Sequence, residues 1–176
     1  MSSYTSGIIA GAGLILTIFI VSLIVRLKLK KGNDHYDERQ VLVRGNGYKI
    51  SFMTVLLLNI IYAGFFYGPT RDIVAPQLVL LAIPFIGVAE YTIYCIFNDA
   101  YVGVGQKTGK WIILILFVIV SNTLCAIYTN EPGLSDNGFA TGGSINAMIA
   151  LVFGVILIAF LIKHFIDKRG DANEES

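Results

Sequence analysis

The residue whose chemistry is most unusual in this sequence is Glu90, which lies in the apolar run PFIGVAEYTIYCIF. A carboxylate in hydrocarbon is costly unless it is paired, protonated or hydrated, so an acid at that depth marks a candidate functional site. Asn59 lies at a similar depth in the preceding apolar run, and the two side chains could meet. Two interpretations stay open: a protonated structural glutamate, or a site that binds a proton or a small solute.

A second set of candidate residues lies in the charged stretch NDHYDERQVLVRGNGYKISF, residues 33–52. Asn33 or Asp34 can cap a helix there, and Asp37 and Glu38 fall near the positive end of its dipole, where acidic side chains are stabilising. The stretch is either an interfacial segment with a structural role or a segment with a recognition or catalytic role.

Three motifs give the chain a resemblance to known proteins: DERQ, then RGNGYKISF at the start of an apolar run, and FNDAYVG after a later run. They resemble a loose group of small multi-pass membrane proteins of Gram-positive bacteria. That group carries a DER-type motif between its first two spans and an acidic-aromatic turn after the third. The resemblance covers roughly residues 34–105 and implies location and topology, since the group has no assigned activity. The matching positions form a cytoplasmic interaction motif: Asp37, Glu38, Arg39, Arg44, Asp99 and Tyr101.

The same positions could join two loops. If both motifs face the cytoplasm, an acidic side chain could pair with Arg39 or Arg44 and latch the inner ends of the second and third spans. An exposed ion pair contributes only about 0 to 1 kcal/mol, so such a latch would fix the geometry more than the stability. Otherwise each charge is separately solvated. The acidic candidates are Asp37, Glu38 and Asp99.

Catalytic and metal-binding patterns are absent from the sequence. It contains neither HExxH nor GxSxG, and its GVGQKTGK run lacks the Ser or Thr that follows the lysine of a phosphate loop. His35 and His164 form no metal-like spacing with Cys95 or Cys125. The two cysteines fall near opposite faces of the membrane, so we expect reduced, buried, apolar thiols. The sequence predicts no enzyme, no cofactor and no metal.

Five apolar runs must position these residues. The chain has 176 residues, of which 55% are hydrophobic and 14% charged, and its mean hydropathy is +0.71. Each run is close to the ~20 residues that a helix needs to cross ~30 Å of hydrocarbon, and none alternates as barrel strands do. The sequence predicts an all-α polytopic membrane bundle of five transmembrane helices, at residues 7–25, 50–67, 77–97, 111–128 and 145–166.

Lysine and arginine positions predict the orientation. With the N-terminus outside, twelve of the thirteen lie on the cytoplasmic side and only Arg71 lies outside, as the positive-inside rule requires. We expect residues 1–169 to form one five-span domain of the cell membrane with a cytoplasmic C-terminus. Residues 170–176 would be a short cytoplasmic polar tail.

Two function classes remain, because loops this short leave no room for a soluble catalytic domain. The first is an accessory or regulatory subunit that acts through protein-protein contacts, with residues 26–49 as its recognition surface. The second is a small transporter or channel component that uses Glu90 as a proton or solute site. We favour the first, because one buried acid and no internal repeat make a weak case for a transport path.

The partners that this predicts are the lipid bilayer and a membrane or cytoplasmic protein, and not a nucleic acid. Gly7 and Gly11 in GIIAG have the spacing that allows close helix approach. They could pack within the chain or in a homo-oligomer.

Overall fold

The second apolar run is the later part of a longer helix. In the computed structural model, α1 extends over Glu38–Ile61, so most of the charged stretch is helical. Asp37 is the N-cap, and its side chain accepts a hydrogen bond from the Gln40 amide at 2.6 Å. The cap is therefore Asp37, whereas the predicted caps Asn33 and Asp34 lie outside the described residues.

The structure describes residues 16–17, 20–22, 24, 36–104, 106, 108–129, 133–136 and 138–174, with side chains as far as residue 169. The chain separates into two compact units, Met1–Asp34 and His35–Ser176. In the first unit the described residues are helical. Most of the predicted span at residues 7–25, with Gly7 and Gly11, lies outside the described residues.

The second unit is predominantly helical. After α1 the chain forms a π-helix, Tyr62–Phe66, and a short helix α2, Tyr67–Thr70. Helix α3 covers Pro76–Phe97 and begins with a proline, which is favourable because the first helical N–H has no partner within the helix.

Two more helices and a hairpin complete this unit. Helix α4 covers Thr108–Tyr128 and α5 covers Gly142–Glu174. Between them, β1 (Ser135–Asp136) pairs antiparallel with β2 (Phe139–Ala140). Because α5 continues to Glu174, most of the predicted tail at residues 170–176 is helical.

In the described part of the chain, four helical stretches are long and apolar enough to cross a membrane, which confirms the prediction of a predominantly helical protein and is compatible with a membrane location. The predicted third and fourth spans coincide with α3 and α4, whereas the helices that contain the second and fifth predicted spans extend beyond them, because the charged flanks continue the same helices. The stretches are Glu38–Thr70, Pro76–Phe97, Thr108–Tyr128 and Gly142–Arg169.

Helices α3 and α5 form the centre of the bundle, with α1 packed on α3 and α4 packed on α5. The outer faces stay apolar: Leu57 on α1 and Phe117 on α4 are 58% and 71% exposed. Helices that are apolar all round are typical of a bilayer environment. The buried core lies between α3, α4 and α5 and contains Ile96, Ile115, Val152, Ile156, Ala159 and Phe160.

The contact between α1 and α3 depends on a residue without a side chain. Ser51 Oγ donates a hydrogen bond to the Gly87 carbonyl at 2.7 Å. A methyl group at Gly87 would overlap Val55 Cγ2. Gly87 therefore sets the distance between the two helices.

Candidate functional site

The turn after α3 is held by side chains from the start of α1. Arg39 Nη2 donates to the Asn98 carbonyl at 3.1 Å, and Arg44 Nη1 donates to the Ala100 carbonyl at 3.2 Å. The Arg44 guanidinium also lies 4.2 Å from the centre of the Tyr36 ring, at cation-π distance. Hydrogen bonds from a charged donor are the stronger kind, so both arginines restrain this turn.

Gln40 and Tyr36 hold the remaining carbonyls of the turn. Gln40 is only 7% exposed, and its Nε2 donates to the carbonyls of Asp99 at 2.7 Å and Val102 at 3.2 Å. The Tyr36 hydroxyl donates to the Tyr101 carbonyl at 3.4 Å. All five carbonyls of residues 98–102 thus accept hydrogen bonds from this segment. We call the arrangement the carbonyl clasp: its donors are Tyr36, Arg39, Gln40 and Arg44, and its acceptors are the carbonyls of residues 98–102.

The clasp differs from the predicted latch in its chemistry. The structure brings the two motifs together, but the prediction that Arg39 or Arg44 pairs with an acidic side chain is wrong. In residues 36–104 both guanidinium groups donate to backbone carbonyls instead. Asp37 caps α1 and Glu38 is exposed in its first turn, while Asp99 pairs with α5.

Asp99 connects the clasp to α5. Its φ is +53°, in the left-handed region that Asp tolerates better than most residues. Lys163 Nζ lies 3.0 Å from Asp99 Oδ1 and 2.8 Å from Asp167 Oδ1. The Lys163 side chain is 19% exposed, against 58% for Asp99 and 51% for Asp167. These three residues form the charge triad, in which a partly buried cation contacts two exposed carboxylates.

Tyr101 connects the same turn to α4 and α5 through its ring. The ring packs edge-to-face against Trp111, with centres 5.4 Å apart, and against Phe160, with centres 5.2 Å apart. Burial raises the pKa of the Tyr101 hydroxyl above its ordinary value of 10.0. Because its carbonyl joins the clasp, Tyr101 belongs to both sets of contacts.

A pocket of about 480 Å³ opens between this turn and the adjacent ends of α4 and α5. Its apolar lining includes Ile96, Ile112 and Phe160. The charge triad, His164 and Thr108 also line the pocket. The volume lies within the range of about 300 to 1,000 Å³ that is usual for small-molecule sites.

Glu90 contacts α1 through a residue that the sequence analysis did not select. Thr54 Oγ1 donates to Glu90 Oε1 at 3.1 Å. Asn59 Nδ2 donates to the Val55 carbonyl of its own helix at 2.8 Å, so the structure does not pair Asn59 with Glu90. Glu90 Oε2 is buried and has no hydrogen-bond partner in the part of the chain that the structure describes.

Cys95 and Cys125 are both free thiols. Cys95 is buried as predicted, but Cys125 lies on an exposed face of α4, so its predicted burial was wrong. Among the described residues, no three of His, Cys, Asp and Glu lie close enough together to hold a metal ion. Comparison with protein-family models, curated proteins and solved structures finds no match to this chain. A role must therefore be inferred from the geometry.

Sequence reasoning missed four residues of the clasp and the charge triad. Gln40 and Tyr36 bond to backbone oxygens, which leave no pattern of residue types in the sequence. Lys163 and Asp167 did leave a signal, because their four-residue spacing puts them on one helix face at ion-pair distance. That spacing could have identified Lys163 and Asp167, which are two of the three members of the charge triad.

Proposed function

We propose that this chain is a five-span protein of the cell membrane, with its N-terminus outside and its C-terminus in the cytoplasm, and that it acts as an accessory or regulatory subunit through protein-protein contacts. The distribution of positive charge supports the orientation. Arg39, Arg44 and Lys163 lie at the end of the bundle that contains the clasp, whereas Arg71 follows α2 at the opposite end. The clasp end is then the cytoplasmic end.

The observation that carries the accessory role is that the clasp, the charge triad and the pocket lie together at that one end. The clasp, the charge triad and the pocket all lie where α1 begins, α3 ends and α4 begins. A transport path needs polar groups through the depth of the bilayer. A rigid, charged face that is accessible from one side suits recognition of a partner.

The clasp changes which residues can meet that partner. The sequence made residues 26–49 the recognition surface, but Arg39, Gln40 and Arg44 are bonded within the chain. Glu38 is exposed beside them in the first turn of α1. We place the contact on Glu38 and the exposed carboxylates of the triad, with the clasp as the support that holds them in position.

Site-specific photocrosslinking in native membranes tests this proposal. A photoreactive phenylalanine analogue at Glu38 should give a discrete crosslinked protein band, and the same analogue at Phe117 gives the control, because Phe117 is 71% exposed on the apolar face of α4. Asp99→Asn should weaken the Glu38 band. No band at Glu38, or equal bands at both positions, would refute the accessory role.

One observation supports the second class, a small transporter or channel component. Glu90 has one buried carboxyl oxygen without a partner in the described chain, which a proton or a small cation could occupy. Proteoliposomes that contain a trapped pH-sensitive dye would detect proton flux. Flux that Glu90→Gln abolishes would favour transport, and equal leakage with both proteins would favour the accessory role.

A further inference from the structure

The pocket at the clasp end combines two kinds of surface. Ile96, Ile112 and Phe160 form its apolar side, and all three belong to helices of membrane-spanning character. The triad and His164 line the same pocket with charged and polar groups. An amphiphile from the bilayer fits both kinds of lining, because its head group is polar and its chains are apolar.

The charges that line the pocket favour one kind of polar head group on that amphiphile. The triad holds one cation and two carboxylates, so it has an excess of one negative charge. Lys163 is the least exposed member of the triad, whereas the side chains of Asp99 and Asp167 are both more than half exposed. Each carboxylate offers about four acceptor sites, more than Lys163 occupies. A primary ammonium can donate hydrogen bonds to them, whereas a quaternary ammonium cannot.

The remaining polar groups suit the neighbouring part of such a head. The His164 ring and the Thr108 hydroxyl line the same pocket and can both donate to a phosphate oxygen. A molecule that combines a primary amine, a neighbouring phosphate and acyl chains is an aminophospholipid.

We propose that this pocket binds one aminophospholipid from the surrounding leaflet, with its ammonium group on Asp99 and Asp167 and its first acyl carbons against Ile112, the partly exposed member of the apolar lining. The proposal needs no protein partner, but the lipid would occupy two carboxylates that the accessory role also assigns to a partner, so the lipid and that partner would compete for Asp99 and Asp167. It gives the charge triad a ligand in addition to its structural contact.

Native mass spectrometry and thermal unfolding of the purified full chain test the proposal. The protein in detergent would receive dioleoyl phosphatidylethanolamine, phosphatidylcholine or phosphatidylglycerol. We expect one retained phosphatidylethanolamine per chain and the largest rise of the unfolding midpoint with that lipid. Asp167→Asn should weaken its retention about tenfold, the loss expected when a charged acceptor becomes neutral. Asp72→Asn is the control, because Asp72 forms an exposed ion pair with Arg71 away from the pocket.

Three results would overturn the proposal. Equal retention of the three lipids would mean nonspecific solvation by lipid, and preference for phosphatidylglycerol would mean an anion site. Unchanged retention in Asp167→Asn would place the lipid elsewhere. The comparison of ethanolamine with choline headgroups uses the wild-type chain, so it decides the matter even if a variant fails to fold.

Discussion

The side-chain nitrogen of Gln40 lies 2.7 Å from the backbone oxygen of Asp99, so a buried amide on α1 holds the residue whose carboxylate binds Lys163 on α5. The two contacts use different parts of Asp99. Its carbonyl accepts the hydrogen bond from Gln40 in the clasp, and its carboxylate pairs with Lys163 in the charge triad. Three helices therefore meet at one turn, and the stability of that turn depends on its hydrogen-bond donors.

Gln40→Leu should destabilise the protein by about 1 to 3 kcal/mol, because it leaves the carbonyls of Asp99 and Val102 without their donor. Unfolding in mixed detergent micelles measures the change. Arg39→Gln is the control: Arg39 is exposed, so water can replace its bond to Asn98. Equal losses of stability in the two variants would show that the burial of Gln40 does not strengthen the contribution of its hydrogen bonds.

Gly87→Ala should destabilise the protein by about 1 to 3 kcal/mol, the usual cost of overpacking a close contact. The added methyl would overlap Val55 on α1 and lie 3.0 Å from Ser51 Oγ, so the two helices would have to separate. Gly45→Ala is the control in the same pair of helices, because a methyl there meets no atom within 4 Å. Thermal unfolding of the two variants compares them, and a neutral Gly87→Ala would contradict this packing.

The charge triad should show a measurable coupling between Lys163 and Asp99. Lys163→Met leaves two carboxylates without their shared cation, and Asp99→Asn removes one of them. We expect a coupling of about 1 kcal/mol in a double-mutant cycle, since both carboxylates are exposed to screening by water. The coupling should shrink at high salt. Additive effects of the two changes would mean that the contact contributes nothing.

Glu90→Gln should leave stability nearly unchanged, because the amide oxygen can still accept from Thr54. Glu90→Leu should cost about 1 kcal/mol, the scale of polar contacts between helices in membranes. The same cost should appear in Thr54→Val, and the double variant should lose little more than either single one. Additive losses would show that Thr54 and Glu90 do not act as a pair.

The sequence predicted the helices well and the site only in part, for a physical reason. The apolar lengths of α3 and α4 are visible in composition, because hydrocarbon thickness sets them. Arg39 and Arg44 were identified as holding the turn, but their acceptors were predicted as carboxylates. Backbone carbonyls are the same at every residue, so only the fold shows which ones need a donor. The contact between Thr54 and Glu90 was missed because Asn59 is the more polar residue at a comparable depth.

The orientation of the chain can be tested with two exposed positions at opposite ends of the bundle. In a background without Cys95 and Cys125, a cysteine at Asp136 lies in the β-hairpin, and one at Lys110 lies at the start of α4. Twelve of thirteen positive residues predict that the α4 start is cytoplasmic. An impermeant thiol reagent should therefore label Asp136→Cys on intact cells and Lys110→Cys only after permeabilisation. The reverse pattern would put the clasp, the charge triad and the pocket on the outer face, and the lipid that we propose would then come from the outer leaflet.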